Sequence, residues 1–307
     1  MSTYEAGSTA SAAIALTRRL KSLTPGGPAV EIDPDTFLRA TRFGLNPHSE
    51  AVILDSIPVV SADDPSVVAA HEQLTAEPTA EAAATGDAVR YEAEWPDREP
   101  ITVESAVHLD RAPGSMADAG FHLLRRLRKK LGRQVIAGRG TAGELRGLLH
   151  LEGVQRSEHG NLLAFAMSAV MSEAWDEGGI RPDWVAINDD DSRRLLGQED
   201  RLFVFGTVVI RSRVLPRGII VSGGCSPLTI RLNLRSLSVW VEPPSEDRVA
   251  PIVAAVVAEL DFVRPSAFVV GKFGKAPVLD PANMPKFDGT REEWEAFERA
   301  LRESRGH

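Results

Sequence analysis

Residues 103–154 read VESAVHLDRAPGSMADAGFHLLRRLRKKLGRQVIAGRGTAGELRGLLHLEGV, and the rest of the chain is organised around them. A short alternating strand leads into an Asp-Arg-Ala-Pro turn. Met116, Ala119, Leu123, Leu127, Leu131 and Val135 then recur at three- and four-residue steps, with Leu124 widening the stripe. That spacing predicts an amphipathic helix over residues 115–136. It would run roughly six turns, or about 33 Å at 1.5 Å per residue. Asp110 and Pro113 stand where a cap and an N-terminal proline belong. Arg125, Arg126, Arg128, Lys129, Lys130 and Arg133 load the second half with positive charge and no acid among them. Cations suit a helix C-terminus. The run is either a solvated face or a face turned toward a polyanion or an acidic neighbouring subunit.

Gly138-Arg139-Gly140-Thr141-Ala142-Gly143 matches G-x-G-x-x-G letter for letter. A dinucleotide site needs a strand before that pattern and a helix after it, so that the pyrophosphate meets a helix N-terminus. Here a helix comes first and no βαβ unit follows. The expectation is a helix stop that uses glycine's freedom at positive φ.

The chain has 307 residues, 43% of them hydrophobic, enough for one large or two ordinary domains. A net charge of −8 does not favour nucleic acid in bulk. A protein enclosing DNA is compatible with that balance when its basic residues lie on one face. The single cysteine, Cys225, rules out an intramolecular disulfide framework and a cysteine-rich zinc site. No basic n-region followed by a long apolar run opens the chain, and no segment reaches 18 apolar residues. A soluble protein made in a cytoplasm is expected.

Residues 1–50 are thinly hydrophobic. Ile14, Leu16, Leu20 and Leu23 predict a short helix over 12–23, stopped by Thr24-Pro25-Gly26-Gly27-Pro28. This segment reads as an arm, ordered only against another surface. Residues 51–60 (AVILDSIPVV) read as an edge strand interrupted by Pro58. Residues 89–95 and 101–108 alternate around a Pro-Asp-Arg-Glu-Pro turn, which predicts a hairpin too polar to form its own core. Residues 161–177 predict a second helix with Leu162, Ala166, Ala169, Val170 and Trp175 on its apolar side. A buried strand over 184–187 follows.

Asp189, Asp190 and Asp191 read as a helix N-terminus, because a straight aspartate run offers a metal few converging oxygens. Residues 202–210 and 218–221 are apolar β stretches, residues 228–234 and 237–241 with 252–263 form a long hairpin, and 267–270 is a last strand. Cys225 has no base assigned to it, so it reads as a structural or incidental thiol. Thr290-Arg291-Glu292-Glu293 is a capping box opening a terminal helix with Trp294, Phe297 and Leu301 on one side. The chain lacks G-x-S-x-G, H-E-x-x-H, C-x-x-C and P-loop patterns. His108 with Asp110, and Glu158 with His159, are neighbours in sequence, which is no evidence of an acid–base site. No catalytic residue, cofactor or metal is assigned.

The order of these elements resembles the tailed-bacteriophage major capsid proteins of the Hong Kong 97 type. The residues that carry the resemblance are the hairpin over 90–107, Leu109-Asp110-Arg111-Ala112-Pro113, the helix over 115–136, the glycines over 138–143 and Gly147-Leu148-Leu149. Further along come the helix over 162–175, Arg181-Pro182-Asp183-Trp184-Val185 and the polar run 188–196. Phe205-Gly206-Thr207-Val208-Val209, Val214-Leu215-Pro216-Arg217-Gly218 and Arg264-Pro265-Ser266-Ala267-Phe268 complete the set. Together they cover about residues 76–272.

The resemblance implies an α+β capsid fold in five parts. They are an N-terminal arm and lead-in (1–75), an extended loop (76–105), a peripheral domain with a spine helix (106–148, completed by about 236–264), an axial domain (149–235, completed by about 265–275) and a C-terminal extension (276–307). It implies hexamers and pentamers closing an icosahedral shell around double-stranded DNA bound without sequence specificity. Portal and scaffolding proteins are expected partners, decoration proteins are left open, and a membrane is not expected. The virion is the expected location, with assembly in the host cytoplasm.

Tyr91, Glu92, Trp95 and Arg98 are candidates for contact between subunits, and the six basic spine residues for contact with DNA or a neighbour. Residues 81–100 contain no lysine, so the isopeptide crosslink of some relatives is not expected. Two rivals remain: an encapsulin-like compartment, which shares the fold, and an oxidoreductase using the loop over 138–143.

Overall fold

From the N-terminus the chain forms α1 (Thr3–Leu20), β1 (Val30–Ile32), α2 (Pro34–Arg42), α3 (Ile53–Ser56), β2 (Ile101–His108) and the long α4 (Met116–Ala137). β3 (Gln155–His159), α5 (Leu163–Gly178), β4 (Trp184–Asn188), α6 (Asp189–Leu196), β5 (Phe203–Val204), β6 (Thr207–Ser212) and β7 (Ile219–Gly223) follow. The last strands are β8 (Arg231–Val241), β9 (Pro251–Asp261) and β10 (Phe268–Phe273). This computed structural model describes residues 3–60, 100–108, 114–141, 143–160, 163–179, 181–196, 203–204, 206–226, 229–244 and 250–274. All fall in one unit, Met1–Gly274.

α4 starts at a capping box rather than at Asp110 and Pro113, which lie outside the described residues. The Ser115 hydroxyl accepts the Asp118 N–H at 3.3 Å, and the Asp118 carboxylate accepts the Ser115 N–H at 3.0 Å. Two of the N–H groups that a helix start leaves unpaired are thereby satisfied. Leu123, Leu124, Leu127, Leu131 and Val135 are fully buried, as the stripe predicts. Each such leucine contributes roughly 1.5–3 kcal/mol. The helix lies on β2 and β9.

Two sheets frame it. The first is antiparallel, in the order β1-β8-β9-β2. β8 and β9 form the expected long hairpin, with Arg235 as the extra residue of a bulge between Leu234 and Ser236. The second sheet has the order β3-β10-β7-β4-β6-β5, with β3/β10 and β4/β6 parallel. Its two faces follow the period of two. Val185, Ile187, Val209, Ile220 and Val269 face a small core with α5. Trp184, Ala186, Ile210, Val221, Phe268 and Val270 join the main core that holds α4.

Several expectations are corrected. Residues 51–60 are not a strand. Glu50–Val52 is a 3₁₀ turn running into α3, with Ala51, Ile53, Leu54 and Ile57 buried, and only Val59 bridges a strand, at Leu232. The N-terminal segment is not a free arm. α1 is longer than expected, and its Leu16 and Leu20 are fully buried in the core of their own chain. β1, α2 and β3 had no sequence expectation. The first half of the predicted hairpin (89–95) and the terminal helix after residue 290 lie outside the described residues. No described helix is long and apolar enough to cross a membrane.

Candidate assembly surfaces

The basic run on α4 divides by helical position. Leu124, Arg128 and Gly132 share one row at four-residue spacing, and that row points inward. Arg128 is completely buried. Its guanidinium donates to the Ala51 carbonyl at 3.1 Å, to the Thr41 hydroxyl at 3.2 Å, to the Leu38 carbonyl and to Asp55. Burial lowers its pKa, and the charge of Asp55 opposes that shift. Arg128 is therefore a bolt between α4 and the N-terminal segment and faces neither solvent nor DNA. Lys129 and Arg133 lie 3.9 and 3.5 Å from the buried Glu50 carboxylate. Arg125 donates to the Gly44 carbonyl and Lys130 to the Glu104 carbonyl at 2.8 Å. Arg126 and Lys130 remain on the exposed row, with His122 one turn earlier. The acids missing from the second half of the helix come from residues 50 and 55, far away in sequence.

The loop over 138–143 closes on itself. Gly138 ends α4 with φ −64°, not in the left-handed region, and its N–H donates to the Gln134 carbonyl at 2.8 Å. Gly140 and Gly143 take φ of +69° and +78°. The Gly140 N–H donates to Leu145, and the Gly147 N–H to Gly138. A Cβ at Gly138 would lie 2.0 Å from the Leu145 carbonyl oxygen. These glycines serve close backbone approach, and the Gly138, Arg139 and Gly140 amides are already paired within the loop and helix end.

The three aspartates at the start of α6 are held within the chain. Asp189 accepts from Arg193 and Arg213 at 2.9 and 3.2 Å, Asp190 from Arg217, and Asp191 from the Gly218 N–H at 2.8 Å. Burial pushes the Cys225 thiol up to about 12, and the Trp184 indole N–H points at its sulfur at 3.3 Å. At neutral pH that sulfur is not a nucleophile. His159 and Glu158 point to opposite faces of β3. Glu158 lies 3.7 Å from Lys272, while His159 meets the Ser157 hydroxyl at 2.7 Å and Glu173 at 3.6 Å through the same Nε2.

α5 carries the feature that the sequence reading placed wrongly. Leu163, Ala166, Met167, Val170, Met171 and Ala174 face the sheet. Trp175 does not: it is 54% exposed, and Phe165 is 73% exposed on the same helix. Beside Trp175 lies an open groove of ≈ 420 Å³, lined by Ser168, Met171, Ser172, Trp175, Arg181 and Pro182. Residues 163–172 contain no charged side chain. That absence was the sequence signal for a helix apolar on both sides. Tyr91, Glu92, Trp95 and Arg98 lie outside the described residues.

No family model matches the sequence, and no curated protein matches it. Solved structures similar to it are distant in sequence. The capsid of an empty GTA particle is 14% identical, with 74% of this chain and 90% of that chain covered at a TM-score of 0.44. A phage-related protein from Bordetella bronchiseptica is 10% identical, with 80% and 98% covered, at 0.44. The holo-SrpI encapsulin complex from Synechococcus elongatus is 15% identical, with 56% and 73% covered, at 0.39.

Proposed function

We propose that this chain is the major capsid protein of a tailed phage, with a Hong Kong 97-type fold, and that it assembles into hexamers and pentamers of an icosahedral shell around double-stranded DNA. The observation that carries this is the order of its parts. β2 leads to a 22-residue helix braced on β2 and β9, then to a glycine hairpin and the turn at Gly147-Leu148-Leu149. A separate six-stranded sheet follows, left for the β8–β9 hairpin and rejoined through Arg264-Pro265 at β10. This order supports the reading. The two-sided apolar character of α5 supports burial by a further surface.

In this reading 76–105 is the extended loop, 106–148 with about 236–264 the peripheral domain, 149–235 with about 265–275 the axial domain, and 276–307 a C-terminal extension. Tyr91, Glu92, Trp95 and Arg98 contact a neighbouring copy. Arg126 and Lys130 lie on the most exposed row of the spine helix, the row that this reading turns toward DNA. Portal and scaffolding proteins complete the assembly in the host cytoplasm, and no catalytic role is assigned.

Electron microscopy of the purified protein, with extraction of whatever the particles hold, tests the assignment. Closed shells that enclose DNA when phage packaging proteins are co-expressed are expected. Shells filled with a protein cargo would move the assignment to an encapsulin-like compartment. A chain that stays monomeric at high concentration overturns both.

A further inference from the structure

Residues 46–60 touch three separate parts of the molecule. At one end His48 lies against β6. Its Nδ1–H donates to the Val209 carbonyl, and its own carbonyl accepts the Arg211 N–H, both at 2.8 Å. Among the described residues β5 pairs with Thr207 and Val208, and this contact lies on the next stretch of β6. In the middle, the Glu50 backbone lies directly on α4: a Cβ at Gly132 would come 2.1 Å from its carbonyl oxygen. The Glu50 carboxylate accepts from the Ser212 hydroxyl at 3.2 Å and the Arg213 N–H at 3.3 Å, beside Lys129 and Arg133. At the far end the Val60 N–H donates to Leu232, and the Leu232 N–H to Pro58, both at 2.9 Å. One short segment thus joins the six-stranded sheet, the spine helix and the four-stranded sheet.

We propose that residues 46–60 are a clasp, closed in this structure, that sets the seating of α4 against both sheets, with Glu50 as its catch. Glu50 is the one residue of the segment whose side chain reaches α4 and the end of β6 together. It is also nearly inaccessible to water, so its charge is balanced only by these partners. The middle of the segment is anchored by the buried Ala51, Ile53, Leu54 and Ile57, while its two ends are held to the sheets by a few polar contacts, which open more readily than a strand deep in a ladder. The clasp is therefore the joint at which the subunit can change shape without unfolding. The claim that it controls particle geometry rests on the capsid reading; the claim that it is a separable clasp does not.

Amide hydrogen exchange on the unassembled full chain tests the second claim. In Glu50→Ala the amides of Val60, Arg211, Arg213 and Leu232 should exchange about tenfold faster or more, while the β2–β9 ladder keeps its protection. Ser212→Ala, which removes one of the contacts, should accelerate the same amides by a smaller factor. Unchanged exchange at these amides, or equal acceleration throughout the β2–β9 ladder, overturns the clasp. Micrographs of particles from the same variants test the first claim. Shells of altered size or curvature are expected, and shells identical to wild type from a variant with an open clasp overturn the geometric role. If the wild type forms no shells, the capsid reading fails while the exchange result still decides the clasp.

Discussion

Arg128 shows how one residue can belong to a charged run and not share its role. It sits among five other cations, yet it alone is enclosed, four residues from Leu124 and from Gly132 on the inner row. Its partner Asp55 is largely buried as well. Removing one member of such a pair strands the other charge in a medium that solvates it poorly. Asp55→Ala should therefore cost about 3–5 kcal/mol of folding stability, read by urea denaturation. A loss below about 1 kcal/mol, typical of surface ion pairs, would show that water reaches the guanidinium after all. The sequence reading grouped Arg128 with the outward-facing cations. The identity of the acid, 73 residues away, was not legible, because nothing local links residue 55 to residue 128.

Among the elements, α4 was the most legible because its stripe is long and regular. Its bounds came within a residue, but its cap was assigned to Asp110 and Pro113: a cap is decided by the residue whose side chain meets the first free N–H groups, and Ser115-x-x-Asp118 does so here. Ser115→Ala should cost about 1 kcal/mol. The box also has a pH signature. Hydrogen bonds from the Ser115 hydroxyl and backbone hold the Asp118 carboxyl below its ordinary range. A depressed carboxyl contributes stability that is full above the unfolded pKa and is lost as pH falls through the lower folded value. The gap between wild type and Ser115→Ala in thermal melts should thus narrow as pH drops below about 4. A gap that widens there would remove Asp118 from the cap. Residues 51–60 were misread for the opposite reason. A short apolar run has no periodicity long enough to separate strand from helix, and packing on α4 decided it.

The molecule as a whole buries its N-terminal segment against its own spine helix while leaving Phe165 and Trp175 of α5 uncovered. If assembly covers that face, Trp175→Ala should change monomer stability by less than about 1 kcal/mol. It should also raise the protein concentration needed for shells about tenfold or more, measured by light scattering. Equal assembly by the variant would leave α5 outside the interface. On the proposed capsid reading, Trp95→Ala should likewise weaken assembly and leave the monomer fold intact. Arg126→Glu with Lys130→Glu should reduce DNA-filled particles more than empty ones, judged by their banding in density gradients. Equal reduction of both would make that row a contact between proteins.

Periodicity and punctuation alone determined the long helix α4, the β8–β9 hairpin and the buried strand at residues 184–187. These depend on neighbours within a few residues, where side-chain spacing maps directly onto a helix stripe or a strand face. Tertiary structure alone decided that residues 3–60 fold back onto the spine, that Glu50 and Asp55 neutralise its cations, and that Trp175 faces outward. Those outcomes depend on groups dozens of residues apart competing for the same buried surface, and no local pattern records which of them wins.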